Sequence, residues 1–257
     1  MSIYQHFRPE EQPFVDLVLG WKDDVETQYK TVLTDFLDPR EQLIFESVIG
    51  KQSDLNLTFF GGYDKAERKR AILAPFYEVV EKEDYSITVL EGHYPTKFMT
   101  ITHRDVLGSL MSLGVMRKKI GDIIVNHGTI QILVDAQIDT FLINQFKKIK
   151  NGSIDFKQIS SKQMIRSDNE WEEKQGTVSS MRLDVMIKEI YNLSRQKSQQ
   201  LIEKEFVKVN HRIVTNPAFV TEPGDLISVR KFGRSKVTQL NGVTRKNNLI
   251  VKYEKLN

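Results

Sequence analysis

The chain has 257 residues, with 40% hydrophobic and 28% charged side chains, which suits a globular protein of two or three folded units rather than a disordered or fibrous one. It has no cysteine, which excludes disulfides, thiolate metal sites and cysteine nucleophiles together and fits a reducing cytoplasm. The formal net charge of +3 is unevenly distributed: residues 1–75 hold 9 Lys/Arg against 13 Asp/Glu, whereas residues 181–257 hold 15 against 7. A basic C-terminal end on an otherwise balanced chain is a cue for nucleic acid.

No run approaches the roughly 18 apolar residues of a membrane helix. The opening MSIYQHFRPEEQPF has no basic region followed by an apolar core, so nothing marks it for secretion. Phe14, Val18, Trp21, Val25, Tyr29, Val32 and Phe36 recur every three or four positions, predicting one long helix. Asp38, Pro39 and Glu41 then form a helix start, with Gly50 as its stop. LNLTFF alternates as a strand, GGY turns, and DKAERKRAIL reads as a charged helix bearing Arg68, Lys69 and Arg70.

Further along, FYEVV and YSITVLEG read as strands and HRDVLGSLMSLGV as a helix. DIIVNHGTIQILV is a hairpin turning at Asn126, His127 and Gly128, DAQIDTFLINQFKKIK is helical, and SIDFKQI is a strand. This interleaving predicts a ferredoxin-like or RRM-like α/β sandwich, without the aromatic signature by which an RRM stacks bases. The polar stretch SSKQMIRSDNEWEEKQGTVSS is expected to be a linker or an ordered extended connection, with a boundary near 165–180.

The catalytic motifs fail one by one. HRD at 103–105 lacks the asparagine a kinase loop needs, since Leu110 stands there. His6, His93, His103, His127 and His211 show no ligand spacing, so no metal is expected. Asp23 with Asp24, and Glu172 with Glu173, read as solvated charge, and no GxSxG or SxxK occurs. No cofactor and no small-molecule substrate is implied.

At the basic end, MRLDVMIKEIYN predicts a helix with Leu183, Ile187 and Ile190 inward. Ser194 caps a second helix, SRQKSQQLIEKE, whose open side carries Arg195, Lys197, Gln199, Gln200 and Lys204. FVKVN alternates, burying Val207 and Val209 and turning Lys208 and Asn210 outward, and His211 stands at the bend before RIVTN. EPGD at 222–225 fits a type II turn. Cationic and amide side chains of this kind reach phosphate and sugar oxygens without reading a base sequence.

RLD at 182–184, SR at 194–195, LI at 201–202, VKVN at 207–210, Pro217 and PGD at 223–225 followed by Ile227 resemble the S-four (alpha-L) RNA-binding domain. In that family Arg182, Ser194, Arg195, Lys208 and Asn210 fall on contact positions for structured RNA. Two departures stand out: glycine is frequent where this chain has Glu205 and His211. Glu205 would repel phosphate and is left out of the site, and His211 either donates to RNA or serves the turn.

FFGGYDKAERKRAIL, HRDVLGSLMSLGVMRKKIGDIIV and the tail FGRSKVTQLNGVTRKNNLIVKYEK extend the resemblance to the bacterial YlmH family across nearly the whole chain. That resemblance implies an α+β protein with a helical N-terminal region at 1–75, an RRM-like domain at 76–165 and an S-four-type domain at 181–257. It implies a ribosomal partner too: the large subunit and its ribosomal RNA, with peptidyl-tRNA, in ribosome-associated quality control of stalled translation, and a gene neighbourhood linked to cell division. The expected RNA contacts are Arg182, Ser194, Arg195, Lys197, Lys204, Lys208, Asn210, His211, Arg212, Lys231 and Arg234. Two alternatives remain, an rRNA- or tRNA-modifying enzyme that uses this domain as an accessory, and a division scaffold. FGRSKV has no aspartate for a pseudouridine synthase loop, and neither synthetase signatures nor a glycine-rich methyltransferase strand is present.

Overall fold

The computed structural model describes residues 3–50, 54–165 and 171–256, and the chain divides into two compact units, Met1–Ser167 and Asp168–Asn257. Residues 166–170 of the polar connector lie outside the described residues.

Helix α1, Gln12–Gln28, buries Val15, Val18 and Val25. It is shorter than its apolar stripe predicts, because Tyr29 takes a left-handed conformation (φ 55°) and stops the helical hydrogen bonding. The remaining stripe residues serve a different element: Val32–Leu33 forms strand β1, and Phe36 is buried against the backbone of Gly121. Helix α2, Pro39–Ile49, starts as the sequence predicts. The Asp38 carboxylate accepts from the Arg40 and Glu41 N–H groups at 2.9 Å, and Glu41 accepts from the Asp38 N–H at 2.7 Å.

Strands β2 (Leu55–Phe60) and β3 (Arg70–Pro75) complete a sheet in the order β1-β3-β2. The expected charged helix through Arg68, Lys69 and Arg70 is absent; turns lead directly into β3. Tertiary acceptors override the helical propensity. Arg68 donates to the Phe36 carbonyl at 2.7 Å, and Arg70 donates to the carbonyls of Thr34 (2.7 Å) and Ser86 (3.1 Å) and lies 3.3 Å from Asp135. Both guanidiniums are buried, which is tolerable only with such partners. FYEVV is likewise no strand: Glu78 N–H closes a turn onto Pro75, leaving Phe76, Tyr77 and Val79 exposed.

The rest of this unit runs β4 (Ile87–His93), α3 (His103–Ser112), β5 (Ile120–Asn126), β6 (Thr129–Asp135), α4 (Asp139–Gln145), the small hairpin β7 (Lys148–Ile149) and β8 (Gly152–Ser153), and β9 (Phe156–Ile159). The predicted long helix ends at Gln145. The four long strands form an antiparallel sheet in the order β5-β6-β4-β9, the ferredoxin-like arrangement of a β-α-β-β-α-β chain. His127 (φ 43°) and Gly128 (φ 86°) form the two-residue hairpin turn expected there.

One face of this sheet, with Leu90, Ile130, Ile132 and Val134, packs with Val106, Leu110, Leu142 and Phe146 in one core. The opposite face, carrying Val89, Gln131, Leu133 and Asp135, is also buried. It is covered in part by residues 163–165, where the Gln131 side chain donates to the Gln163 carbonyl at 3.1 Å and accepts from the Ile165 N–H at 2.8 Å, and in part by the chain's N-terminal segments. A Cβ on Gly62 would lie 2.1 Å from Leu133, and Asp122 accepts from the Tyr63 hydroxyl (2.7 Å) and from the Glu67 and Arg68 N–H groups (2.8 and 3.0 Å).

The C-terminal unit comprises β10 (Trp171–Val178), α5 (Leu183–Tyr191), α6 (Arg195–Glu203), β11 (Val207–Val209), β12 (Arg212–Ile213), β13 (Leu226–Val229), β14 (Gly233–Val243) and β15 (Leu249–Leu256). Its antiparallel sheet has the order β10-β15-β14-β13-β11-β12. Part of the polar connector is therefore ordered: Trp171–Val178 pairs along β15 as an edge strand. Leu183, Met186, Ile187, Ile190, Leu201 and Ile202 share a core with Val207, Val209, Ile227, Val229, Val237 and Val251. Gly224 (φ 94°) sits in the predicted EPGD turn, closed by the Asp225 N–H on Glu222. The whole is an α+β protein, and among the described residues no helix is long and apolar enough to cross a membrane.

Candidate nucleic-acid interface

Two helix starts converge on one carboxylate. Arg182 caps α5 and Arg195 is the first residue of α6, where Ser194 Oγ accepts the Lys197 N–H at 3.1 Å. Asp184, in the first turn of α5, is fully buried. It accepts two bonds from Arg182, Nε to Oδ1 at 3.0 Å and Nη2 to Oδ2 at 3.1 Å. It also accepts from Arg195 Nε at 3.0 Å and from Gln199 Nε2 at 2.9 Å. Arg195 and Gln199 are four residues apart and so share one side of α6.

Burial alone would raise the Asp184 pKa. The hydrogen bonds from Arg182, Gln199 and Arg195 outweigh it and hold the carboxyl at about 2, and its place in the first turn favours the same anion. The two guanidiniums are not consumed by this contact: their side chains remain 36% and 55% exposed. The result is a rigidly aimed pair of forks with one net positive charge between them, a geometry suited to phosphate.

The other predicted residues take different places. Lys197 and Lys204 are exposed on α6 and just after it. Lys208 projects from β11 on the face away from the helices, and the ladder sets it across from Ser228, which in turn faces Arg234 on β14. The Arg234 guanidinium lies 5.7 Å from the centre of the Trp171 ring. Lys231 is exposed in the turn before β14, and His211 and Arg212 are exposed at the β11–β12 hairpin. Thus Arg182, Arg195 and Gln199 are brought together, while Lys208 and Arg234 form a separate row on the other side of the sheet.

Asn210 differs from expectation. Instead of facing outward it occupies a left-handed turn position (φ 47°), donates from Nδ2 to Asp225 at 2.8 Å and accepts the Leu226 N–H at 2.9 Å. It ties the hairpin to the EPGD turn, a use for which asparagine's tolerance of this conformation and its paired donor and acceptor are suited. Asp184 and Trp171 are the residues that sequence reasoning left out of the site. An aspartate flanked by Leu183 and Val185 on an apolar helix was a signal of a buried charge needing cationic partners.

Comparison with known proteins fits this geometry. The chain matches the family model of the YlmH N-terminal region over residues 10–78, that of a proposed RNA-binding domain in YlmH over residues 80–163, and the S-four domain over residues 181–227. A ribosome-associated protein quality control protein of Bacillus subtilis (strain 168) is 41% identical over 254 residues, which cover 99% of this chain and 98% of that protein. Among solved structures, the cell division protein ylmH from Streptococcus pneumoniae aligns with a TM-score of 0.55 at 31% identity, covering 64% of this chain and 100% of that one. The chain belongs to the YlmH family.

Proposed function

We propose that this protein binds ribosomal RNA on the large subunit, together with tRNA, in the cytoplasm, and acts without catalysis in the quality control of stalled translation. The observation that carries the reading is the Asp184-held pair Arg182 and Arg195, a preorganised phosphate fork in a domain of an RNA-binding family. The ribosome association of the Bacillus relative supports the ribosomal setting. Lys197 and Lys204 extend the positive surface along α6, Arg212 and Lys231 add to it at the hairpin and turn of the sheet, and Lys208 and Arg234 supply it on the far side of the sheet. Such contacts follow backbone shape rather than base sequence.

Sedimentation through sucrose tests the site. Arg182→Ala with Arg195→Ala should leave the protein at the top of the gradient while the wild type travels with large subunits, and comigration of the double variant at wild-type levels sinks the assignment. An rRNA modification missing from a deletion strain would instead favour an enzyme. The similarity to a cell division protein of Streptococcus pneumoniae keeps a division scaffold in view. Retention of a normal division phenotype by the RNA-binding-deficient variant would support that second reading.

A further inference from the structure

The sheet face on which ferredoxin-like RNA-binding domains stack bases is closed in this chain: Leu133 lies against Gly62, Asp135 lies 3.3 Å from Arg70, and Gln131 is bonded to the Gln163 carbonyl and the Ile165 N–H, all three being buried. If the central sandwich touches RNA, it must do so elsewhere. One corner has the chemistry. The turn Pro95–Phe98 and the β7–β8 hairpin pack together: Met99 sits so close to Gly152 that a Cβ there would lie 2.3 Å from its methyl, and Lys150 Nζ donates to the Thr100 carbonyl at 2.9 Å. Phe98 projects from this corner 87% exposed.

The same two segments and their flanks expose Lys97, Arg104, Lys147, Lys148 and Lys150. Two carboxylates answer them, Asp105 at 2.7 Å from Lys150 and Asp155 at 2.9 Å from Lys147. Lys97, Arg104 and Lys148 have no carboxylate partner among the described residues, so the corner keeps a net positive charge. By contrast, Phe76 and Tyr77, also exposed, are followed by Glu78, Glu81, Glu83 and Asp84 with only Lys82 among them, a net negative charge that would repel phosphate.

We infer that the corner formed by residues 94–104 and 147–153 is a contact surface for unpaired RNA, with Phe98 as the stacking platform and Lys97, Arg104 and Lys148 as phosphate contacts. An exposed aromatic ring among cations suits a single strand, since bases in a duplex already have their faces covered. The inference extends the RNA-binding reading above to a second surface.

The test uses the full chain and fluorescence anisotropy with two probes, a labelled oligouridylate that cannot pair and a stable RNA hairpin. Phe98→Ala should weaken oligouridylate binding by roughly fivefold or more, Phe98→Trp should retain it, and Phe76→Ala should leave it unchanged. Lys97→Glu with Lys148→Glu should lower the slope of log affinity against log salt by about one for each lost phosphate. Repeating Phe98→Ala in the Arg182→Ala, Arg195→Ala background separates the two surfaces, because the hairpin probe should respond to the arginine pair and not to Phe98. Unchanged oligouridylate affinity in Phe98→Ala, or an equal loss in Phe76→Ala, overturns the inference whatever the hairpin shows, and leaves Phe98 to a protein partner.

Discussion

At the residue scale, the S-four pattern was legible but the role of its aspartate was not. The tripeptide RLD marks the family; only the fold shows Asp184 buried with three side chains donating to it. Replacing it with asparagine removes the charge that aims both arginines, so Asp184→Asn should cost about 1–3 kcal/mol and loosen the RNA contact as well. The pH dependence has a definite sign. Because the folded pKa is depressed from the ordinary 3.8 to about 2, the stabilisation is present above about pH 4 and lost as pH falls towards 2. Urea unfolding of wild type and Asp184→Asn should therefore differ at neutral pH and converge in that acid window; a gap that persists at pH 2 would show that the charge is not its source.

Glu205 and His211 belong to the same scale. Both have positive φ, 60° and 66°, at positions where the family often carries glycine. Glu205 lies just past the end of α6, where its N–H donates to the Ile202 carbonyl and the Phe206 N–H reaches back to the Leu201 carbonyl. The misfit with an RNA-facing surface is thus a misfit of backbone conformation too. Glu205→Gly should raise stability by up to about 1 kcal/mol, readable as a higher urea midpoint with unchanged slope.

At the element scale, the readable features were those whose cause is local. Asp38 with Glu41, Ser194, His127–Gly128 and EPGD each carry their own hydrogen bonds or turn geometry, and each formed where expected. The failures share a different cause. Nothing near Tyr29 in sequence marks the helix end, and DKAERKRAIL has a helical pattern whose arginines are claimed by Phe36, Thr34, Ser86 and Asp135 from elsewhere in the fold. The GGY turn is set by the same long-range packing: Gly62 has φ 95° and lies directly on Leu133. Gly62→Ala should therefore cost more than about 2 kcal/mol, through backbone strain and overpacking together. A wild-type urea midpoint in that variant would mean that the N-terminal cover can shift from the sheet without loss.

At the scale of the whole molecule, the divisions suggested by sequence have different physical standing. The unit 168–257 holds a core of its own that runs, among the described residues, from Val178 to Tyr253. The expected division near residue 75, where the family models over residues 10–78 and 80–163 also meet, lies inside one compact unit whose two parts share an interior. Arg70 would lose Ser86 and Asp135, Asp35 would lose its contacts at 2.9 and 2.8 Å with Lys118 and Lys119, and Leu133 would be stripped of its cover. Arg70 would keep only the Thr34 carbonyl, and a guanidinium stripped of its carboxylate and part of its acceptors is unfavourable to bury. We therefore expect the fragment 168–257 to unfold cooperatively on its own and to bind the RNA hairpin with the salt slope of the full chain. The fragment 1–75 should show no cooperative transition, whereas 1–167 should. The discriminating measurement is urea unfolding of the three fragments followed by circular dichroism. If 1–75 unfolds with a midpoint close to that of 1–167, the buried ionic network is not what joins the N-terminal helices to the sandwich, and the closure of the sheet face is then a reversible cover rather than part of the fold.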